Sequence, residues 1–179
     1  MRIISGILKG RTLKVPAGLP IRPTTDASKE ALFNILENRY SFENLKVLDL
    51  FSGSGNISYE FVSRGCPSVV CIEKDLACCK FIQSQITQFK LESLKLIHAD
   101  VFIYIPKINL KFDLIFADPP YHLPNLGNIS QRIIELNLLN IGGTFILEHP
   151  SLISMSKYPH FIETRIYGTS AFSFFMYSK

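Results

Sequence analysis

The feature that most constrains the fold is an alternation of two hydrophobic periods along most of the chain. Short, nearly continuous apolar runs at 47–51, 68–73, 94–99, 112–117 and 143–148 read as buried strands. Segments at 57–64, 76–89 and 129–138 carry apolar residues at helical spacing. Strands apolar on both faces need helices above and below them, so this alternation predicts a parallel, doubly wound α/β sheet. Two final runs, 161–167 and 171–177, meet at Gly168-Thr169. That turn is too short for a crossover, so the two pair antiparallel, placing one reversed strand near an edge. The expected sheet has seven strands, mostly parallel.

Ahead of the sheet, 2–8 and 11–15 predict a hairpin of two short strands around Lys9-Gly10. Pro16, Gly18, Pro20 and Pro23 mark a loop. Thr24-Thr25-Asp26, followed by Ala31, Leu32, Ile35 and Leu36, predicts a capped helix to about Asn38. Residues 1–40 thus read as an appendage to a sheet domain over 41–179. With 14 Phe and 7 Tyr in 179 residues, the core needs no disulfide or metal staple. The net charge is only +4, yet residues 1–25 hold Arg2, Lys9, Arg11, Lys14 and Arg22 and no acid. Such a local excess suits a polyanionic partner; the plainer alternative is a solvated hairpin. Cys66, Cys71, Cys78 and Cys79 form no paired metal-ligand spacing, so reduced, buried thiols are expected and a zinc site is not. No opening leader and no apolar stretch of ~20 residues is visible, so a cytoplasmic protein without a membrane partner is expected.

Two places carry chemistry. The first is Asp49-Leu50-Phe51-Ser52-Gly53-Ser54-Gly55, where a strand turns into a helix. Glycines there let a ligand approach the backbone, and in open α/β sheets ligands lie beyond the carboxyl ends of the strands. The third glycine of a dinucleotide fingerprint is missing and Asp49 precedes the loop. An acid there disfavours a pyrophosphate and favours a cation, so S-adenosyl-L-methionine suits the loop better than NAD. Glu73, closing the second strand, can accept from both ribose hydroxyls. Asp100, after the third strand, can accept from an adenine amine beside the Val101 backbone, or cap the next helix.

The second place is Asp118-Pro119-Pro120-Tyr121, which ends the apolar run 112–117. Two prolines fix φ and make a rigid turn. The Asp118 carboxylate and the Pro119 carbonyl offer two acceptors to the two donors of a base amino group. Tyr121 offers a face for a base taken out of its helix. Catalysis would then be positioning plus stabilisation of developing positive charge, with no metal and no covalent nucleophile.

With both motifs in hand, the chain resembles the class I amino-methyltransferases that carry a D/N-P-P-Y/F motif. It most resembles the RsmD family of small-subunit ribosomal RNA guanine-N2 methyltransferases, which share a Rossmann-like fold. The resemblance rests on Arg2-Ile3-Ile4-Ser5-Gly6, Lys9-Gly10-Arg11, Arg22-Pro23-Thr24-Thr25-Asp26, Glu30-Ala31-Leu32-Phe33-Asn34, the glycine loop, Glu73 and Asp118-Pro119-Pro120-Tyr121. It implies methyl transfer from S-adenosyl-L-methionine to a guanine amine of 16S ribosomal RNA, within the small subunit or an assembly intermediate. It also implies that Arg22, Thr24 and Thr25 cover the cofactor's methionine end. Asp49, Phe51, Gly53 and Gly55 would line its pocket, and Glu73 would hold the ribose with Lys74 beside it. Arg2, Lys9, Arg11, Lys14 and Lys29 would meet RNA phosphates. The chain departs from the family's usual arginines at Ala27 and Lys29; lysine lacks the bidentate fork. A DNA adenine-N6 methyltransferase shares the four-residue motif, but such enzymes generally need a target-recognition region, and no insertion here is long enough. An RNA-binding assembly factor without activity is a third reading, opposed by the intact Asp118 and glycine loop. A monomer is expected.

Overall fold

The computed structural model describes residues 1–21 and 25–178. It divides into two compact units, Met1–Val101 and Phe102–Lys179. Seven strands make up the sheet, in the order β3-β2-β1 in the first unit and β4-β5-β7-β6 in the second. The expected boundary near residue 40 does not coincide with the division between the units.

In the first unit, β1 (Lys46–Leu50), β2 (Ser68–Glu73) and β3 (Leu94–His98) run parallel, with Asp49 opposite Cys71 and Glu73 opposite His98. Four of the five β1 residues are buried, as a strand covered on both faces requires. Helices α2 (Asn56–Ser63) and α3 (Leu76–Phe89) pack on these strands. Helix α1 (Asp26–Glu37) starts where Thr25 Oγ1 accepts from Ser28 N at 3.1 Å, and α3 starts where Asp75 Oδ1 accepts from Cys78 N at 2.8 Å. Phe33, Phe42 and Phe61 form an aromatic cluster; the Phe33 and Phe61 rings meet edge to face at 4.7 Å, which stabilises by about 1 kcal/mol beyond burial.

The N-terminal segment corrects one expectation. The chain reverses at Lys9-Gly10, but Arg2↔Thr12 is an isolated antiparallel bridge and no pair of strands forms. Part of the cross-turn pairing is kept, Ile3 N donating to the Arg11 carbonyl at 3.0 Å and Leu13 N to the Met1 carbonyl at 2.9 Å, while other amides go to α2. Ile4 N and Ser5 N donate to Glu60 at 2.9 and 3.0 Å, Ile7 N to the Ser63 carbonyl at 2.8 Å, and Leu8 N to Ser63 Oγ at 3.0 Å. Gly6 (φ +79°) lies so flat on this helix that a Cβ would collide with the Ser63 carbonyl oxygen.

In the second unit, the short helix α4 (Val101–Tyr104), most of which lies here, precedes β4 (Phe112–Ala117). Strand β4 pairs parallel with β5 (Leu139–Pro150), while β7 (Ser170–Met176) pairs antiparallel with both β5 and β6 (Phe161–Tyr167). Strand β7 is thus the reversed strand expected near an edge. Helix α5 (Asn128–Glu135) packs on β5 and stops before the expected 138, because Asn137 turns left-handed at φ +52°. Strand β5 begins four residues before the expected 143, since Gly142 and Gly143 lie inside it beside a register shift.

Candidate active site

The cofactor half is built in the first unit. After β1 the backbone takes three left-handed steps, at Phe51 (φ +61°), Gly53 (+55°) and Gly55 (+82°). Glycine enters that region freely, whereas a bulky Phe51 there costs roughly 1–3 kcal/mol and is held by its surroundings. Ser52 N donates to the Ile72 carbonyl at 3.0 Å, and Ser52 Oγ to the Asp49 carbonyl at 2.9 Å. A Cβ on Gly55 would meet the Tyr59 ring at 2.7 Å, so Tyr59 of α2 fills the space that glycine leaves. Among the described residues, a Cβ on Gly53 would meet only Ile21, its Cγ2 at 3.2 Å.

Two acids pack against this loop and a third follows β3, each placed differently. Glu73 is buried and ties the loop to the end of β2: Gly53 N donates to Oε2 at 2.7 Å, while Lys74 N and Asp75 N donate to Oε1 at 2.8 and 2.7 Å. Asp49 is only 1% exposed, and its Oδ2 accepts from Ser58 Oγ of α2 at 2.5 Å. Burial pushes its carboxyl up to about 7 against the Ser58 and Ser52 hydrogen bonds, which favour the charged form. Asp49 therefore sits beneath the loop rather than at its surface. Asp100 is half-buried between β3 and α4, with Val101 buried behind it, and Ala99 N donates to the Glu73 carbonyl at 2.9 Å. The Tyr59 hydroxyl is buried without a hydrogen-bond partner among the described residues, and burial raises its pKa, so it keeps its proton. A glycine loop over a buried acid fits a cationic ligand such as S-adenosyl-L-methionine; a pyrophosphate would face the same acid unfavourably.

The residues expected to meet the target base lie in the second unit. Strand β4 is buried up to Ala117, then Asp118 emerges half-buried, with Pro119 buried and Pro120 and Tyr121 half-buried. The Tyr121 hydroxyl is 3.1 Å from Ser170 Oγ at the start of β7, so the ring is tethered at both ends. Leu123 N donates to the Pro120 carbonyl at 3.0 Å and closes the turn. Ser170 was not visible as a site residue from sequence; its position beside Gly168-Thr169 marks only a hairpin turn.

Of the basic residues expected to meet RNA, Arg2, Lys9, Arg11 and Lys14 are exposed. The Arg11 guanidinium stands 4.9 Å over the Phe89 ring, and Arg2 Nε is 3.7 Å from Asp26 Oδ2. Lys29 is a correction. Its side chain is fully buried and cannot touch phosphate, because Glu60, itself fully buried, lies 3.4 Å away and takes the charge. Thr25 commits its hydroxyl to the α1 cap, also pairing with Ser28 Oγ at 2.8 Å. Arg22 and Thr24 lie outside the described residues. All four cysteines are buried and free. Among the described residues, no group of three or more His, Cys, Asp or Glu is placed to hold a metal, and no helix is long and apolar enough to cross a membrane.

A parallel α/β sheet with one reversed strand, a glycine loop after β1 and a D-P-P-Y turn after β4 define a class I methyltransferase fold. A structure of a hypothetical protein from Thermus thermophilus matches with a TM-score of 0.86 at 29% identity, covering 98% of each chain. An RNA methyltransferase from Salinibacter ruber, in complex with S-adenosyl-L-homocysteine, shares the fold at a TM-score of 0.67 and 13% identity, over 88% of this chain and 95% of that one. The family model described as conserved hypothetical protein 95 matches residues 1–176. YlbH of Bacillus subtilis is 34% identical over 165 residues, 88% of this chain and 86% of that protein. Ribosomal RNA small subunit methyltransferase D of Haemophilus influenzae is 33% identical over 140 residues, 76% of this chain and 69% of that protein. The chain belongs to this family, the RsmD family.

Proposed function

We propose that the protein transfers the methyl group of S-adenosyl-L-methionine to the exocyclic N2 amine of a guanine in small-subunit ribosomal RNA. The observation that carries this is the Asp118-Pro119-Pro120-Tyr121 turn at the carboxyl end of β4, with its tyrosine pinned by Ser170. Relatives named as ribosomal RNA small subunit methyltransferases support the RNA substrate. The cofactor supplies an electrophilic methyl carbon on a sulfonium. Glu73 and Lys74 hold the ribose end, Asp100 and Val101 the adenine, and the segment from Arg22 to Thr25 the methionine end. Phe51, Gly53 and Gly55 form the floor, and buried Asp49 favours the ligand's positive charge from below. Tyr121 stacks on the base. The Asp118 carboxylate and the Pro119 carbonyl accept from the two amine protons and turn the nitrogen's lone pair toward the methyl carbon. Asp118 would stabilise the positive charge that methylation places on the nitrogen and would accept the proton it sheds. Arg2, Lys9, Arg11 and Lys14 position the RNA through its phosphates. The enzyme acts as a cytoplasmic monomer.

The test is labelled methyl transfer to small subunits that lack the modification, followed by mass spectrometry of the nucleosides. N2-methylguanosine is expected, and Asp118→Ala should abolish transfer while calorimetry shows cofactor affinity nearly intact. Label in duplex DNA, or methylated adenosine, would reject the guanine reading. Full turnover by the variant would remove Asp118 from the mechanism.

A further inference from the structure

The correction at Lys29 opens a different role for it. Its ammonium has three protons and meets three acceptors: the Arg2 carbonyl oxygen at 2.5 Å, Asn56 Oδ1 at 2.8 Å and Glu60 Oε2 at 3.4 Å. These belong to two pieces of the first unit, the N-terminal segment and α2. Arg2 is a cation of the basic segment, here termed the arm. Asn56 is the first residue of α2, directly after Gly55. Glu60 is one helical turn further on and also receives the arm's Ile4 and Ser5 amides. The N-cap of α2 is left-handed Gly55, which makes no side-chain cap bond, and the Lys29–Asn56 bond holds the first side chain of the helix at the glycine loop's exit. The loop touches the arm a second time, Ser54 Oγ donating to Met1 Sδ at 3.6 Å.

Burial lowers the Lys29 pKa, and the Glu60 carboxylate beside it opposes that shift. Arg64 completes the site: its Nε donates to Glu60 Oε1 at 3.0 Å, and its guanidinium lies 4.9 Å over Phe33. Every polar atom of the Lys29–Glu60 pair is therefore engaged in holding a neighbour. That is a costly arrangement for packing alone, where apolar residues of similar volume do as well or better.

We infer that Lys29 and Asn56 are positioning residues that lock the arm and the glycine loop into one piece, so that the RNA-facing and cofactor-facing surfaces of the first unit keep a fixed geometry. This rests on the assignment of the loop to the cofactor and the arm to RNA. Asn56→Ala removes the loop's tether and leaves the buried ion pair. It should weaken S-adenosyl-L-methionine binding by about three- to tenfold, one charged hydrogen bond felt in part, with RNA affinity unchanged. Lys29→Met should weaken both ligands, and Lys29→Arg, which restores charge and donors, should recover much of the cofactor affinity. In neither Lys29 variant should the salt dependence of RNA binding change, because Lys29 meets no phosphate.

The experiment measures cofactor affinity by calorimetry, RNA affinity across a salt series, and the KM and kcat for each substrate. Cofactor affinity of Asn56→Ala within twofold of the parent would overturn the inference. A flatter salt slope in Lys29→Met, marking a phosphate contact, would overturn it as well. If Lys29→Met fails to fold, Asn56→Ala still decides. If the parent binds cofactor but no RNA, the proposed function fails separately, and the cofactor result for Asn56→Ala still stands.

Discussion

At the residue scale, Asp49 is the group whose chemistry the fold changes most. Its carboxyl titrates near 7 in the folded chain, against 3.8 for an ordinary aspartate, because burial penalises the charged form. Between those values the folded chain holds a proton that the unfolded chain has lost. Stability from this group is thus full below the unfolded value, falls as pH rises toward 7, and levels off above. Asp49→Asn keeps an acceptor for Ser58 and has no such dependence. Urea midpoints at pH 5 and pH 8 should therefore show the variant gaining on the parent at the higher pH. A difference independent of pH would mean that Asp49 titrates normally. The sequence supplied Asp49 as an acid near the loop but not its depth. Depth comes from Ser58, nine residues on, whose hydroxyl turns the carboxylate under α2. Phe51 was equally opaque, since nothing in the residue type announces a left-handed aromatic. Asp118 was legible because two prolines leave the backbone few other conformations.

At the scale of elements, agreement follows the strength of the local signal. Strands β2, β4 and β6 and helix α3 fall where their apolar runs begin and end, and Asp75 caps α3 through its own side chain. Helix α4, with four residues, is too short for any period to show. The N-terminal arm misled for a physical reason. Its alternation resembles a hairpin, and Ile3 and Leu13 do pair across the turn, but the amides of Ile4, Ser5, Ile7 and Leu8 are satisfied by Glu60 and Ser63, more than fifty residues away, which no local pattern reveals. The same long reach hid Lys29, expected from the family resemblance to meet phosphate and buried in fact beside Glu60. The exposed cations of the arm remain available to a polyanion. Replacing Arg2, Lys9 and Arg11 with neutral residues should weaken RNA binding and flatten the plot of log affinity against log salt. The slope should fall by roughly 0.7–0.9 for each phosphate no longer neutralised. An unchanged slope would return these residues to ordinary solvated charge.

At the scale of the whole molecule, the alternation of periods made the sheet class and the reversed β7 legible. The division into units was not, because it depends on contact density rather than on composition. The cysteines divide just as unevenly. Cys66, Cys71, Cys78 and Cys79 all lie in the first unit, none is more than 5% exposed, and burial raises every thiol, those of Cys66 and Cys78 to about 12. A disulfide reagent needs a thiolate it can reach, so it should react only when the first unit opens. The sequence holds no cysteine beyond residue 79, so openings confined to the second unit would pass unrecorded. Labelling would thus work as a stopwatch on one half of the chain. If S-adenosyl-L-methionine binds there, it should slow the clock in proportion to its occupancy, and the methyl donor's affinity could then be read without RNA and without turnover, from the rate at which four thiols disappear.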